Sequence, residues 1–268
     1  MNHLLRGLAP ITDEAWTLID DEASRSLKLH LAARRLVDFE GPLGWEHAAV
    51  SDGRAQDLAS APLDGVGARL RTVHPLLELR VPFELKLSEL MTADRGATDL
   101  ELGAVIAAAR TAALAEDGAI FHGYAAGGIE GIGPSSPHEH IAIGEDFDHY
   151  PVYVARAVST LRAAGVGGPY AIALGSTSYT GVVETAEGGG YLVLEHLDRI
   201  LGGPVVWAPA VQGAVVLSQR GGDFVLTVGQ DLSLGYDATV DDSVRLYMEE
   251  SLMFRVVTPE AAVVLTHG

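Results

Sequence analysis

Residues 243–257 alternate apolar and polar side chains over an unusually long stretch of chain. A period of two predicts a β-strand, and at ~3.3 Å per residue this strand would extend roughly 45–50 Å. Most strands have about 3–10 residues, so this length favours a flat, extended molecule over a compact enzyme. One face carries Val244, Leu246, Met248, Leu252, Phe254 and Val256, interrupted by Glu250, and the other carries Arg245, Tyr247, Glu249, Ser251 and Arg255.

Two helices are predicted in the first half of the chain. The first begins at Thr12 or Asp13, either of which can cap it, and its apolar residues recur every three or four positions up to Leu31. The longest helix is predicted over 100–122, where many alanines allow close packing against another element. Gly123 ends it.

Extended structure is predicted between these helices. Residues 46–76 have no sustained helical period and contain turn signals, which indicates a hairpin reaching away from the body. Residues 77–87 alternate as a half-buried strand. Pro82 has no N–H to donate to a neighbouring strand, which favours an edge position.

The pattern after residue 150 alternates between helices and strands, separated by glycine and proline. This arrangement is typical of an α+β protein rather than a regular βαβ repeat. Helices are predicted near 150–164 and 191–201, and strands near 170–174, 205–208, 214–218 and 224–228.

The charge balance limits the possible partners. With 36 acidic and 18 basic residues the formal charge is −18, so nucleic acid and anionic membranes would repel the chain. There is no cysteine, which excludes disulfides and thiolate metal sites. No run approaches the ~20 apolar residues that span a bilayer, and the N-terminus lacks the apolar core of a signal peptide. We expect a soluble, cytoplasmic protein.

No catalytic motif or metal site is predicted. The serines after Leu174 are read as a strand-to-turn junction and the glycines of 123–133 as a loop. His138 and His140 could share one face of a strand, but no third metal ligand is indicated, so a solvated loop is favoured. Adjacent acidic pairs such as Glu249–Glu250 are interpreted as solvated surface, because adjacency alone does not separate two pKa values.

Several blocks along nearly the whole chain, from about Leu4 to Val264, resemble the encapsulins, bacterial nanocompartment shell proteins also called linocins. The order and spacing of these blocks are specific to this family, although no single block is enough to indicate it. They are Leu8-Ala9-Pro10-Ile11, Arg34-Arg35-Leu36-Val37-Asp38, Gly41-Pro42-Leu43-Gly44-Trp45-Glu46, Glu78-Leu79-Arg80-Val81-Pro82-Phe83, Glu116-Asp117-Gly118-Ala119-Ile120-Phe121-His122-Gly123, Arg220-Gly221-Gly222-Asp223-Phe224 and Gly229-Gln230-Asp231-Leu232-Ser233-Leu234-Gly235-Tyr236.

The resemblance implies the HK97-like fold of tailed-phage capsids, with a peripheral domain, an axial domain and an extended loop. The N-terminal helix and arm (1–45) and the segment with the long helix (77–134) would be peripheral. Residues 46–76 would form the extended loop and 135–222 the axial domain. The C-terminal strands, 223–268, would return to the peripheral domain and the shell wall.

The function implied by the resemblance is that of a structural shell. Roughly sixty copies, or a multiple, would close into an icosahedral particle. The particle would enclose a cargo enzyme, a dye-decolorizing peroxidase or a ferritin-like protein, which docks through a C-terminal targeting peptide. The implied dock comprises the first helix with Arg34 and Asp38, plus Asp231, Leu232 and Tyr236. A local ion pair between Arg34 and Asp38 is the alternative reading of those two residues.

Two further expectations concern small molecules. A glycine-rich acidic loop could line a pore in a ring of subunits and set its charge; its candidate residues are Glu184, Glu187, Gly188, Gly189, Gly190 and Tyr191. Some encapsulins bind a flavin beside a tryptophan, but the matching stretch here is Leu87-Ser88-Glu89-Leu90, so no cofactor is predicted.

Two alternatives to a compartment shell remain at this point. A phage-type capsid protein that packages DNA would share the fold, although the charge disfavours it. A protease or bacteriocin would need a nucleophile and base that the sequence does not offer. The sequence fixes neither the identity of the cargo nor the size of the shell.

Overall fold

A computed structural model of the protein describes residues 3–144, 146–187 and 190–267. The α-helices are α1 (Asp13–His30), α2 (Leu87–Ala93), α3 (Gly103–His122), α4 (Ile132–Ser135), α5 (Tyr150–Ala163), α6 (Ser176–Glu184) and α7 (Val193–Leu201). The strands are β1 (Asp38–Glu40), β2 (Ala49–Asp57), β3 (Arg69–Pro75), β4 (Leu77–Lys86), β5 (Ile141–Ile143), β6 (Tyr170–Leu174), β7 (Val205–Trp207), β8 (Ala214–Ser218), β9 (Phe224–Val228), β10 (Ser233–Val240), β11 (Ser243–Val256) and β12 (Ala262–His267).

The long strand β11 organises the first sheet. It pairs with β4 along one edge, and with β10 and then β9 along the other, while β1 completes the sheet beside β9. The predicted strand over 243–257 is therefore confirmed. In the described part of the chain β4 pairs with β11 alone, which confirms the edge position that Pro82 predicted.

The helices α1 and α3 cover the β4 end of this sheet. Thr12 caps α1 by accepting a hydrogen bond from the Ala15 N–H at 3.4 Å, as predicted. The alanine-rich face of α3 packs against α1, β4 and β11. Small side chains permit this close approach of helix to sheet, so the prediction of α3 as a tightly packed helix is confirmed.

The second sheet has the order β5-β12-β8-β6-β7 and is packed with α5 and α7. Its central strands β6 and β8 are buried along their whole length. The last strand, β12, pairs with β8 and β5. The C-terminal strands, which we expected to return to the peripheral domain and the shell wall, are divided between the sheets: β9, β10 and β11 lie in the first sheet and β12 lies in the second.

Strands β2 and β3 form a two-stranded antiparallel hairpin, as the turn signals in 46–76 predicted. Large apolar side chains are exposed on it: Leu58, Leu63, Val66, Leu70 and Val73. A hairpin this exposed needs a covering surface to remove its apolar area from water.

One local prediction was wrong, because the serines after Leu174 begin helix α6 rather than a turn. Among the described helices, none combines the length and the hydropathy needed to cross a bilayer.

Candidate functional site

A groove of about 420 Å³ runs along α1 where that helix faces the start of β10. Its wall on the helix is formed by Ala23, Leu27 and Leu31, and the opposite wall by Leu232 and Leu234. These two walls are therefore apolar, and Ser24 and Ser233 add hydroxyl groups to the lining. Charged side chains lie at its rim: Arg6, Asp20, Lys28, Arg34 and Asp231.

The rim charges differ in how far they are already neutralised. Arg6 pairs with Asp20, with 2.6 Å between Nη2 and Oδ2, and its guanidinium lies 4.0 Å above the Trp16 ring. Lys28 has no ion-pair partner among the residues that the structure describes, and it is exposed. Among the described residues at the rim, Lys28 is therefore a cation without an ion pair beside the apolar walls.

Arg34 lies at the centre of a charge cluster beneath one end of the groove. Its Nε donates to both carboxylate oxygens of Glu116 at 2.9 Å, and its Nη2 donates to Glu116 Oε2 at 2.5 Å. Nη1 donates to Asp231 at 2.7 Å and Nη2 to Glu250 at 3.1 Å. Burial opposes the charge of Arg34, but the hydrogen bonds to Glu116 and the three carboxylates raise its pKa.

Glu250 explains the interruption in the apolar face of β11. Its side chain is buried completely, and its Oε1 has no hydrogen-bond partner among the described atoms. Burial, followed by the charge of Glu116, raises the pKa of Glu250 well above its ordinary value. The carboxyl therefore keeps its proton at pH values where an exposed glutamate is ionised. The reading of Glu249–Glu250 as solvated surface is wrong, because both side chains are buried.

Asp117 links the same helix to the end of α1. Its carboxylate accepts hydrogen bonds from the N–H groups of Ala32 at 2.9 Å and Ala33 at 3.0 Å. Burial raises the pKa of Asp117 to about 7, although these two hydrogen bonds favour the ionised form. Helix α3 thus presents two buried acids, Glu116 and Asp117, to the segment that carries Arg34.

The five residues predicted for the dock do not all lie together. Arg34, Asp231 and Leu232 line the groove. Tyr236 lies next to it, because its N–H donates to the Leu4 carbonyl at 2.8 Å and Leu4 lines the groove.

Asp38 lies elsewhere. It accepts a hydrogen bond from the Gly222 N–H at 2.6 Å and lines a separate concavity with Pro169 and Ser218. It forms no ion pair with Arg34, whose partners are Glu116, Asp231 and Glu250. The alternative of a local Arg34–Asp38 pair is therefore wrong.

The predicted pore loop follows α6. Glu184 is exposed at the end of that helix. Glu187 Oε1 lies 2.8 Å from His196 Nδ1 on α7, and the Gly190 N–H donates to the Glu187 carbonyl at 2.7 Å. Tyr191 stacks edge-on to His196 and lies beneath the Arg199 guanidinium at 5.0 Å. Gly188 and Gly189 lie outside the described residues.

Two of the residues considered for chemistry, His138 and Ser178, have structural partners. His138 Nε2 contacts the Glu260 carbonyl at 3.0 Å. The buried Ser178 hydroxyl accepts a hydrogen bond from the Tyr150 hydroxyl at 2.7 Å and lies 3.3 Å from His267 Nε2. This chain of hydrogen bonds joins α5, α6 and β12. With the serine only 1% exposed, no substrate could reach it without rearrangement.

Comparison with known proteins identifies the family. The model of the linocin M18 family, described as "Encapsulating protein for peroxidase", matches residues 1–253. A type 1 encapsulin shell protein of Rhodospirillum rubrum is 51% identical over 99% of this chain and 96% of its own. Another, from Mycobacterium tuberculosis, is 46% identical over the full length of both chains.

The chain belongs to the type 1 encapsulin shell protein family.

Solved structures agree on the fold of this encapsulin. A virus-like particle from Pyrococcus furiosus superposes with a TM-score of 0.64 at 17% identity and covers 93% of this chain and 98% of that one. The capsid of Gordonia phage Cozz gives a TM-score of 0.54 at 14% identity, over 87% of this chain and 84% of its own. The predicted α+β, HK97-like capsid fold is confirmed.

Membership defines what the encapsulin subunit does. It assembles with copies of itself into the shell of a compartment. Its relatives are named as shell proteins, which agrees with a structural role rather than catalysis.

The resemblance placed the first helix at the dock but named neither Leu27 nor Leu31, and it did not include Glu116. The three- and four-residue spacing of the apolar residues on α1 was the available signal for the two leucines. Nothing in the sequence linked Glu116 to Arg34, 82 residues away.

Proposed function

We propose that the shell encloses a guest enzyme and that the groove along α1 holds a peptide at the guest's C-terminus. The guest is a dye-decolorizing peroxidase or a ferritin-like protein. Peroxidase encapsulation is the description of the family whose model matches this chain. The observation that carries the peptide proposal is the apolar groove itself, which exposes Leu27, Leu31 and Leu232 beside a charged rim.

The groove fits a short apolar segment in an extended conformation. Burying two or three aliphatic side chains against the leucines would contribute about 1.5–3 kcal/mol each before the entropy of ordering the peptide is subtracted. Arg34 is held by Glu116 and Glu250, so it shapes the end of the groove rather than offering a free charge. Asp231, whose side chain is 40% exposed, offers acceptors to peptide N–H groups there.

The dock is Arg34, Asp231 and Leu232, with Tyr236 behind them. Tyr236 acts indirectly by holding Leu4 at the rim. Asp38 is outside the groove and is left out of the peptide site that we propose.

Guest capture by paired glutamate variants tests the peptide site. Leu27 lines the groove, whereas Leu29 is 62% exposed on the same helix and does not line it. A fluorescent protein that carries the guest's C-terminal peptide is co-expressed with shells of L27E or L29E. We expect L27E shells to lose the fluorescent guest and L29E shells to retain it. Equal loading of both variants would contradict the groove as the dock.

A second part of the proposal concerns access through the shell. The loop over 184–191 lines a pore and controls the passage of small molecules to the guest. Its support is the fixed contact between Glu187 and His196, with Tyr191 and Arg199 beside them. A carboxylate, an imidazole and an aromatic ring therefore lie together beside the loop that we propose for the pore.

The compartment holds protein rather than nucleic acid, in the cytoplasm. The support is the formal charge of −18 on each subunit, which disfavours packing of a polyanion. The similarity to the capsid of Gordonia phage Cozz, at 14% identity, concerns the fold alone and does not favour DNA packaging. An excess of absorbance at 260 nm in nuclease-treated particles would contradict this part of the proposal.

A further inference from the structure

The side chain of Arg255 has a hydrogen-bond donor without an acceptor among the described residues. It lies near the end of β11, on the face that also carries Arg245 and Glu249. Those two residues have partners: Arg245 pairs with Glu84, with 3.2 Å between Nε and Oε1, and Glu249 pairs with Arg80 at 2.6 Å. Arg255 has no ion pair in the described part of the chain, and its Nε is buried without a hydrogen-bond partner.

A buried donor of this kind destabilises the subunit unless an acceptor from outside the chain pairs with it. Arg255 as a residue is only partly buried, but its buried Nε–H has lost its hydration without gaining a hydrogen bond in exchange. The side chain faces a concavity of about 420 Å³ at the root of the β2–β3 hairpin. The walls of the concavity come from the hairpin, the loop after α3 and the end of β11, so it is open to a group that approaches from outside the subunit.

The other charged groups in the concavity leave this donor unpaired. The carboxylate of Asp52 accepts the backbone N–H of Arg54 at 2.8 Å and lies 3.7 Å from His74, so the hairpin already uses it. Glu130 lines the concavity but forms no ion pair with Arg255. Arg54 also lines it, and its guanidinium has no ion pair within the described residues. Within the described part of the chain, Arg54 and Arg255 are thus lining cations without an ion pair, beside the carboxylates of Asp52 and Glu130.

From this arrangement we infer that Arg255 binds a carboxylate from a neighbouring copy of this chain in the shell, with Arg54 as the second donor. The subunit is shown to assemble with copies of itself, and each copy carries 36 acidic against 18 basic residues. A carboxylate is therefore the commonest charged group that a neighbour can present. The hairpin beside the concavity exposes five large apolar residues, an area that contact with a second copy would remove from water.

Zero-length crosslinking identifies the partner. A carbodiimide joins an amine to a carboxylate in direct contact, and the R255K variant supplies an amine at this position. R255K shells are reassembled from equal amounts of unlabelled and heavy-nitrogen subunits. The shells are then treated with the carbodiimide. We expect crosslinks at position 255 between one labelled and one unlabelled chain. R245K is the matched control, because its facing Glu84 belongs to the same chain and its crosslinks should join residues of one label only.

Crosslinks from R255K only to Asp52 or Glu130 of the same chain would overturn the proposal. So would a complete lack of crosslinks at position 255 while R245K reacts.

A second measurement serves if R255K does not fold. In the unmodified protein, phenylglyoxal should modify Arg255 several-fold more slowly in shells than in dissociated subunits, while Arg245 changes little. Equal reactivity of Arg255 in both states would overturn the proposal. If R255Q folds, the subunit concentration needed for shell formation should rise by roughly tenfold or more, the effect of removing one member of a desolvated charge pair at an interface.

Discussion

The guanidinium of Arg34 and the carboxylate of Glu116 form a buried ion pair between residues 82 positions apart, with Nε 2.9 Å from each carboxylate oxygen. Glu116 is completely buried, and the Arg34 side chain is 17% exposed. The pair joins the segment after α1 to helix α3, and Arg34 continues the connection to Glu250 on β11 and Asp231 before β10. One arginine thus holds together the elements that form the end of the groove.

Removing this cation should destabilise the subunit strongly. R34A leaves Glu116 buried without its counter-charge, and loss of one partner of a buried pair typically lowers the free energy of unfolding by about 3–5 kcal/mol. Urea unfolding of dissociated subunits measures the loss. R25A, which breaks the exposed Arg25–Glu22 pair, should change it by less than about 1 kcal/mol. Similar values for the two variants would show that the cluster contributes little.

The protonated Glu250 should make stability depend on pH. Because its pKa is raised in the folded protein, its contribution is present below pH about 4.5 and is lost as pH rises toward the folded pKa. E250Q keeps a neutral group there, so its stability relative to the unmodified protein should increase as pH rises from about 4.5 toward neutrality. E84Q, an exposed position on β4, is the control. Parallel curves for E250Q and the unmodified protein would contradict a raised pKa.

Asp117 should add a second pH-dependent contribution. Its folded pKa is about 7 against an ordinary value of 3.8, so its stabilising effect is complete below pH about 3.8 and is lost as pH rises through about 7. The ¹³C chemical shift of the Asp117 carboxyl in selectively labelled subunits reports this titration directly. A midpoint near 4 would contradict the effect of burial.

Gly123 should tolerate no side chain. It ends α3 with a φ of +82°, and a Cβ there would collide with the backbone carbonyl of Glu130. Gly96 has a φ of +90° but open space around it. Both alanine variants suffer the unfavourable φ, about 1–2 kcal/mol, and G123A should lose a further 1–3 kcal/mol from the collision. Equal thermal midpoints for the two variants would show that the loop after α3 can move aside.

The sequence predicted the elements whose pattern is local. Alternation over 77–87 and 243–257 predicted β4 and β11, and Pro82 predicted the edge position. Both signals are local, because the alternation of side chains and the missing N–H of a proline are properties of a single strand. Helix α6 was missed because its serines, threonines and glycine have low helix propensity, so packing against the second sheet holds it.

The site was predicted less completely because it depends on distant contacts. The interruption at Glu250 was visible, but its partner Arg34 is 216 residues away and comes close only through the packing of α3 on β11. The family resemblance placed Asp38 at the dock together with Arg34, four positions earlier in the chain. The chain turns into β1 at Asp38, however, and β1 pairs with β9, so this carboxylate points to Gly222 instead.

The central claim is that this chain forms a closed protein shell around a guest protein. Electron microscopy of nuclease-treated particles from the native host, combined with mass spectrometry of their contents, tests it most directly. We expect uniform hollow shells that contain one enriched enzyme, and loss of that enzyme from the shells when its C-terminal peptide is deleted. A population that remains at the 28.2 kDa monomer mass, or shells filled with nucleic acid and no protein, would contradict the account.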